Sequence, residues 1–178
     1  GFNVKKGRTI FLTRQKYQRA QVEVPGFTDL SKSQARADIQ SLGLKINHIR
    51  YKESRFHDLV LAQLYKGDTL KAGTKLPKGT GITLVVGKES NAKSQVPSLI
   101  GLTTELANSK ALDFSLNLGQ VHYDHTVNTK LDTVNAKVWR QKPKAGSGRV
   151  SMGTAIDVHA TLSENKLNVA KVSQEIEE

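Results

Sequence analysis

Two groups of side chains in this sequence have the residue types and the spacing to bind an anionic ligand. Arginine binds a carboxylate through two parallel hydrogen bonds, and an indole ring beside cations suits the apolar face of a sugar that carries carboxylates. We therefore predict a ligand site, although solvated surface charge and a core tryptophan are the commoner roles of such residues. The two groups are Arg50, Lys52 and Arg55, close to His57, and Trp139, Arg140, Lys142 and Lys144.

The sequence shows no arrangement of residues typical of a catalytic site. The sequence has no Gly-x-Ser-x-Gly elbow and no Walker loop, so nucleophilic and phosphoryl-transfer chemistry lack a starting motif. The carboxylates are scattered, and none recurs at matched positions of the two internal copies described below, as a paired acid and base would. The sequence predicts no enzyme activity and no cofactor.

His122 and His125 are the one closely spaced histidine pair and raise the question of a metal site. Residues three apart on a strand face opposite sides, and no third ligand is evident. We interpret the pair as partly solvated sheet and loop residues and predict no metal site. The absence of Cys also excludes disulfides and thiolate metal sites, while leaving the cellular compartment open.

The formal net charge of +11 favours an anionic partner through long-range attraction. Nucleic acid, anionic lipid and polymers of the cell envelope all fit this charge. Against nucleic acid, the cations are spread along the chain, aromatic residues are only 6% of it, and no nucleic-acid-binding motif occurs. Nucleic-acid binding therefore ranks second and stays open as an alternative.

The elements that must position these residues come from an internal duplication. The segment VPGFTDLSKSQARADIQSLGLKINHIRY, from Val24, matches VPSLIGLTTELANSKALDFSLNLGQVHY, from Val96, at a separation of 72 residues. Later matches have separations of 73 to 78 residues, so the second copy contains insertions. Insertions are tolerated best in surface connections, where we therefore place them. The first residues, GFNVKKGRTIFLT, match GTKLPKGTGITLV at 72, so the chain opens inside a further copy.

Each copy carries the pattern of one short amphipathic helix. Ala35 and Ile39 fall at helical spacing on one face. Ser31 with Gln34 predicts a capping box at the start of the helix. Gly43 predicts its end, because glycine adopts the left-handed conformation at low steric cost.

After the helix, the apolar residues alternate, which predicts a strand with one buried face. Ile46 and Ile49 lie three apart, and this change of step predicts a bulge at Asn47, or at Gly119 in the second copy. A second strand follows, and the run ITLVV after the turn PKGTG predicts a third. The predicted fold class is α+β, with tandem small repeats that each pack one α-helix on a three-stranded β-sheet.

This pattern divides the chain into four parts. Residues 1–20 are predicted to be the closing β-hairpin of a truncated preceding repeat, and residues 22–89 and 94–163 to be complete repeats. The polar junction around 90–95 indicates some freedom between them. Val169, Val172 and Ile176 lie at roughly helical spacing in the tail 164–178, which predicts a frayed helix or disorder.

A family resemblance follows from these residues. The segment VWRQKPKAGSGRVSMGTAIDVHA, from Val138, resembles the closing signature of the PASTA domain (penicillin-binding protein and serine/threonine kinase associated). The Val-Pro openings and the helix LSKSQARADIQSLGL are similar to that family as well. The chain departs from the pattern where Pro143 has no counterpart in the first repeat, where Ser115 replaces the helix-ending glycine, and in the excursion of residues 124–135.

The resemblance implies an extracytoplasmic or periplasmic module that binds peptidoglycan or muropeptides, with a β-lactam or an envelope protein as further partners. The chain is also similar to PASTA-only envelope proteins of Bacteroidetes, and this similarity implies a membrane anchor upstream of Gly1. The alternatives are a structural spacer or protein-interaction module without sugar binding, and a basic nucleic-acid-binding protein.

Overall fold

The computed structural model of the protein describes residues 20–177. The hairpin predicted for residues 1–20 lies outside these residues except for Ala20. Within residues 20–177, the α-helices are α1 (Lys32–Ser41), α2 (Thr104–Asp113), α3 (Lys130–Asn135) and α4 (Glu164–Glu177). The strands are β1 (Gln21–Val24), β2 (Lys45–Glu53), β3 (Val60–Tyr65), β4 (Asp68–Thr69), β5 (Thr74–Pro77), β6 (Gly81–Lys88), β7 (Lys93–Gln95), β8 (Asn117–Tyr123), β9 (Lys137–Lys142), β10 (Arg149–Ser151) and β11 (Ala155–Thr161).

The two repeats have the same sheet topology. In the first, β6 lies between β2, to which it is parallel, and β3, to which it is antiparallel. In the second, β11 lies in the same way between β8 and β9. The α+β fold class is confirmed, and the first sheet gains a fourth strand because the two-residue β4 pairs with the end of β3.

Each repeat also has a two-stranded ribbon that the alternation pattern did not predict. Strand β1 pairs with β5, and β7 pairs with β10. These strands are only three or four residues long, so too few residues alternate to reveal them in the sequence. The polar junction is therefore held more firmly than its composition indicates, because β7 occupies residues 93–95 of it.

A buried glutamine organises the same part of the core in both repeats. The side chain of Gln63 accepts a hydrogen bond from the Phe27 amide at 2.7 Å. The side chain of Gln141 accepts one from the Leu99 amide, also at 2.7 Å. Buried polar groups need such partners, so each glutamine fixes the entry loop of its repeat against the sheet.

The predicted helix boundaries are largely confirmed. The Ser31 hydroxyl accepts a hydrogen bond from the Gln34 amide at 3.2 Å. The Gln34 side chain does not complete a capping box, because it donates forward to Asp38, one helical turn away, at 2.9 Å. Beyond the helices, Gly43 and Ser115 both take the left-handed conformation, with φ of 70° and 56°.

Both predicted bulges are present. The pairing of β2 with β6 shifts between Ile46 and His48, and the pairing of β8 with β11 shifts between Ile156 and Val158. In the second repeat, Asp157 fills the bulge, where its carboxylate accepts a hydrogen bond from the Gln120 amide at 2.8 Å.

The two repeats pack against each other. Leu112 on α2 is 5% exposed and belongs to the hydrophobic core of the first repeat. The Asn117 side chain accepts a hydrogen bond from the Ile49 amide at 2.8 Å and donates one to the Ile49 carbonyl at 3.0 Å. It thereby pairs with the backbone groups of Ile49 at the free edge of β2, which is the outermost strand of its sheet.

Ion pairs and polar contacts surround this junction. Arg36 pairs with Asp113, and Lys45 pairs with Glu105. The Asn108 side chain donates a hydrogen bond through Nδ2 to the Ile46 carbonyl at 3.1 Å. The repeats therefore share a packed and hydrogen-bonded interface.

The tail forms α4, which packs on β9, and Leu167 anchors it with 3% exposure. The sequence pattern drew attention instead to Val169 and Val172, and both are exposed. None of the helices within residues 20–177 combines the length and the apolar character needed to cross a membrane.

Candidate ligand-binding groove

A groove lies between β9 and α4, on the face of the second sheet opposite α2. Its volume is about 710 Å³. All four residues of the second predicted group line it, and apolar residues from both sides complete its walls. The lining includes Trp139, Arg140, Lys142, Lys144, Ala145, Ile100, Lys166, Val169 and Ala170.

Trp139 is the aromatic centre of the groove. Strand alternation explains its position, because its neighbour Val138 points into the core and Trp139 therefore points to the opposite face. The ring lies 6.0 Å from the His159 ring, and the Lys166 ammonium lies 5.3 Å from the indole centroid. The indole N–H is buried and has no hydrogen-bond partner among residues 20–177.

Lys166 is held over the indole by an ion pair. Its ammonium donates to the Asp124 carboxylate at 2.6 Å, and the Thr126 amide and hydroxyl donate to the same carboxyl group. Burial by itself would raise the pKa of Asp124, but the hydrogen bonds from Lys166, Thr126 and Thr161 together hold it well below its ordinary value. Asp124 therefore stays ionised, and Lys166 keeps a fixed partner.

A pair of stacked imidazoles lies beside the tryptophan. The rings of His122 and His159 are 4.9 Å apart. Burial lowers the pKa of His159, and the neighbouring His122 and Arg140 lower it further against the opposing effect of Asp157. Within residues 20–177, no group of three or more histidine and acidic side chains is arranged to hold a metal ion.

The first predicted group lies elsewhere. Arg50 and Lys52 are exposed on β2, and Arg55 is exposed in the loop that follows. In its sheet, Arg50 is opposite Val85, as His122 is opposite His159 in the second repeat. The structure thus brings the four residues from Trp139 to Lys144 into one groove and leaves the first three on the other repeat.

Sequence reasoning missed the α4 side of the groove. Lys166 and Val169 line it, and neither belongs to the predicted groups. No local motif marks a lysine that reaches across to an aromatic ring of another element. The helical spacing in the tail was the one available signal, and it indicated a helix without showing which face would pack.

Comparison with known proteins gives a family for part of the chain. The model of the PASTA domain matches residues 22–88. No curated protein matches the chain.

The solved structures that match the chain include two from Staphylococcus aureus. One is the three-PASTA-domain region of a Ser/Thr kinase, which is 18% identical with a TM-score of 0.31 and covers 80% of this chain and 66% of that one. Another is the entire extracellular region of the Ser/Thr kinase PrkC, at 16% identity and a TM-score of 0.31, covering 80% of this chain and 47% of that one.

A third is penicillin-binding protein 2X from Streptococcus thermophilus, at 11% identity and a TM-score of 0.36, covering 79% of this chain and 17% of that one. This chain therefore spans less than two thirds of the length of each of these structures. The family match covers the elements from β1 to β6, which make up the whole of the first repeat. The match likens the first repeat, in which one helix packs on a β-sheet, to the PASTA domain.

Proposed function

We propose that the chain is a non-enzymatic tandem-PASTA ectodomain of the bacterial cell envelope that binds peptidoglycan or its muropeptide fragments. The observation that carries the proposal is the groove in which Trp139 lies among Arg140, Lys142, Lys144 and Lys166. PASTA domains of other proteins bind peptidoglycan or β-lactam-like ligands, which supports the same class of partner.

The groove has the chemistry that a muropeptide requires. The indole ring offers an apolar surface to a sugar ring, and the cations offer charge-assisted hydrogen bonds to carboxylates. Ile100 and Val169 offer contacts to the acetyl methyl groups of the sugar. Lys166 lies over the ring that the sugar would contact, so we expect its side chain to move aside or to bind a carboxylate of the ligand.

Trp139 makes the proposal easy to test, because it is the only tryptophan in the chain. Titration with muropeptides should change its fluorescence, and the protein should sediment with purified sacculi at low salt. Lys142→Gln should weaken muropeptide binding about five- to tenfold, since it removes one charge-assisted hydrogen bond. Lys75→Gln, an exposed charge on β5 of the first repeat, is the matched control and should bind as the wild type does.

Failure to sediment with sacculi at low salt, together with an unchanged tryptophan signal, would remove the sugar-binding proposal. If a β-lactam alone changes the signal, the ligand class is corrected. If nucleic acid binds instead, its affinity should fall steeply as salt rises, because counterions are released from the phosphates.

The second candidate function is a spacer or protein-interaction module without sugar binding. The packed joint of Leu112 and Asn117 favours it, because such a joint holds the repeats at a fixed distance and angle. A pull-down from envelope extract with the two-repeat protein would identify a protein partner. If the protein captures such a partner and binds no muropeptide, the spacer role is established over the binding role.

We also propose that residues 94–163 are a second PASTA domain and that the module lies on the extracytoplasmic face, held by an upstream anchor. The shared topology of the two sheets supports the first point. Amide hydrogen exchange should protect β8, β9 and β11 of residues 94–163 as strongly as β2, β3 and β6 of the first repeat. Protease treatment of intact spheroplasts should degrade the module, and protection would contradict this location.

A further inference from the structure

A second cavity adjoins the groove on the other side of the turn at Lys144 and Ala145, which line both. Its volume is about 520 Å³. Lys110 and Phe114, near the end of α2, form one wall, and Gln95 lies on the β7 side. Phe114 is 38% exposed, so its ring offers an apolar surface next to the two lysines.

The wall that separates the two cavities is fixed by a buried side chain. Gln141 donates to the Pro97 carbonyl at 3.0 Å and to the Pro143 carbonyl at 3.1 Å. The same side chain accepts from the Leu99 amide. The turn is thereby tied to the loop that enters the repeat, and the distance between the two cavities is set before any ligand binds.

Part of the positive charge of this cavity occurs only in the second repeat. At the matched positions of the first repeat, Asp38 replaces Lys110 and Glu23 replaces Gln95. The Glu23 carboxylate lies beside the equivalent turn, 3.8 Å from the position that a β-carbon on Gly73 would take. The first repeat thus carries two acidic groups near Lys71, whereas the second carries Lys110 near Lys144, so the second has the more favourable charge for an anion.

We propose that this second cavity is a carboxylate subsite, which holds the peptide stem of a ligand whose sugar lies in the groove beside Trp139. This inference rests on the proposed function, because it takes the groove as the sugar site. Lys110 binds a stem carboxylate, and Phe114 packs on the aliphatic part of the stem. A ligand that crosses the turn at Lys144 joins the two cavities.

The experiment measures how much affinity the stem adds. A peptidoglycan disaccharide and the same disaccharide with its peptide stem are titrated against the protein, with Trp139 fluorescence as the readout. The stem should raise affinity about tenfold in the wild type. In Lys110→Asp, which installs the first-repeat residue, and in the milder Lys110→Gln, the two ligands should bind with nearly equal affinity.

Two controls make the result specific. Lys71→Gln changes the lysine at the equivalent turn of the first repeat and should keep the tenfold gain. A stem with amidated carboxyl groups should give little gain, because Lys110 then faces a neutral group. Circular dichroism of each variant checks that the fold is retained.

The outcomes separate this inference from the proposed function. If the bare disaccharide binds and the stem adds the same affinity in Lys110→Gln as in the wild type, the carboxylate subsite is wrong while the sugar groove stands. If neither ligand binds the wild type, the proposed function fails first, and the subsite fails with it.

Discussion

The two repeats share a backbone but differ in what lies on the outer face of the sheet. In the second repeat, α4 covers that face and its Lys166 lies over Trp139. Within the described residues, the first repeat passes directly into β7 without a helix, and Leu61 stands at the position that matches Trp139. The difference teaches that topology alone does not make the groove, because the groove needs an added helix and an aromatic residue on the sheet.

The repeats also contribute unequally to their joint. Asn117 of the second repeat binds the backbone of Ile49, while Lys45 occupies the matched position of the first. A lysine cannot both donate to and accept from a strand edge as an amide does. The interface therefore forms only in this order of repeats, and the two repeats cannot be exchanged without losing it.

The largest expected effect comes from the residue that completes the core across the joint. Leu112→Ala should lower the free energy of unfolding by about 2 to 4 kcal/mol, because it leaves a cavity among buried side chains. Urea denaturation followed by circular dichroism measures the change.

The matched residue of the first repeat is the exposed Gln40, and Gln40→Ala should shift stability by less than about 0.5 kcal/mol. Equal effects of the two substitutions would mean that Leu112 does not support the first repeat. The two repeats would then be independent of each other in stability.

A smaller effect is expected from exchanging the helix-ending residues of the two repeats. Gly43→Ser installs the residue type of Ser115 at a position where φ is 70°, and it should cost about 1 kcal/mol. The added β-carbon meets only the flexible Lys78 side chain at an ordinary distance, so backbone strain should dominate the cost.

The reciprocal Ser115→Gly should relieve the strain but lose the hydrogen bond that Lys32 donates to the Ser115 hydroxyl at 3.0 Å. Its net effect should therefore be smaller than that of Gly43→Ser. Thermal unfolding of both variants is the measurement, and a stabilising Gly43→Ser would contradict the strain argument.

The smallest effect concerns the ion pair that holds α4. The pKa of Asp124 is lower in the folded protein than its ordinary value of 3.8, so the pair stabilises the protein fully above about pH 4 and loses this contribution as the pH falls further. Trp139 fluorescence should therefore stay constant through pH 4 and change only well below it, where Asp124 takes up a proton and Lys166 is released.

Asp124→Asn should remove that transition and leave any change caused by the histidines at higher pH in place. Asp58→Asn, which alters an exposed partner of Lys32 in the first repeat, is the control and should keep the transition. A wild-type transition centred at about pH 4, where an unpaired aspartate takes up its proton, would show that Asp124 does not anchor Lys166.

Much of the fold was predictable because its signals are local. The cap at Ser31, the left-handed Gly43 and the bulge at Asn47 each depend on a few neighbouring residues. The alternation of apolar residues identified the main strands for the same reason. The grouping of Trp139 with Lys142 was also predictable, since both lie on one short strand.

The sequence by itself determined the duplication, the α+β units and the cationic residues that follow Trp139. The tertiary structure decided that α4 closes the groove with Lys166, that Leu112 enters the core of the other repeat, and that Asn117 binds the edge of β2. The physical reason is range. Caps, turns and periodicity act over a few residues. These contacts instead join residues more than 25 positions apart in sequence, which only packing of the folded chain brings together.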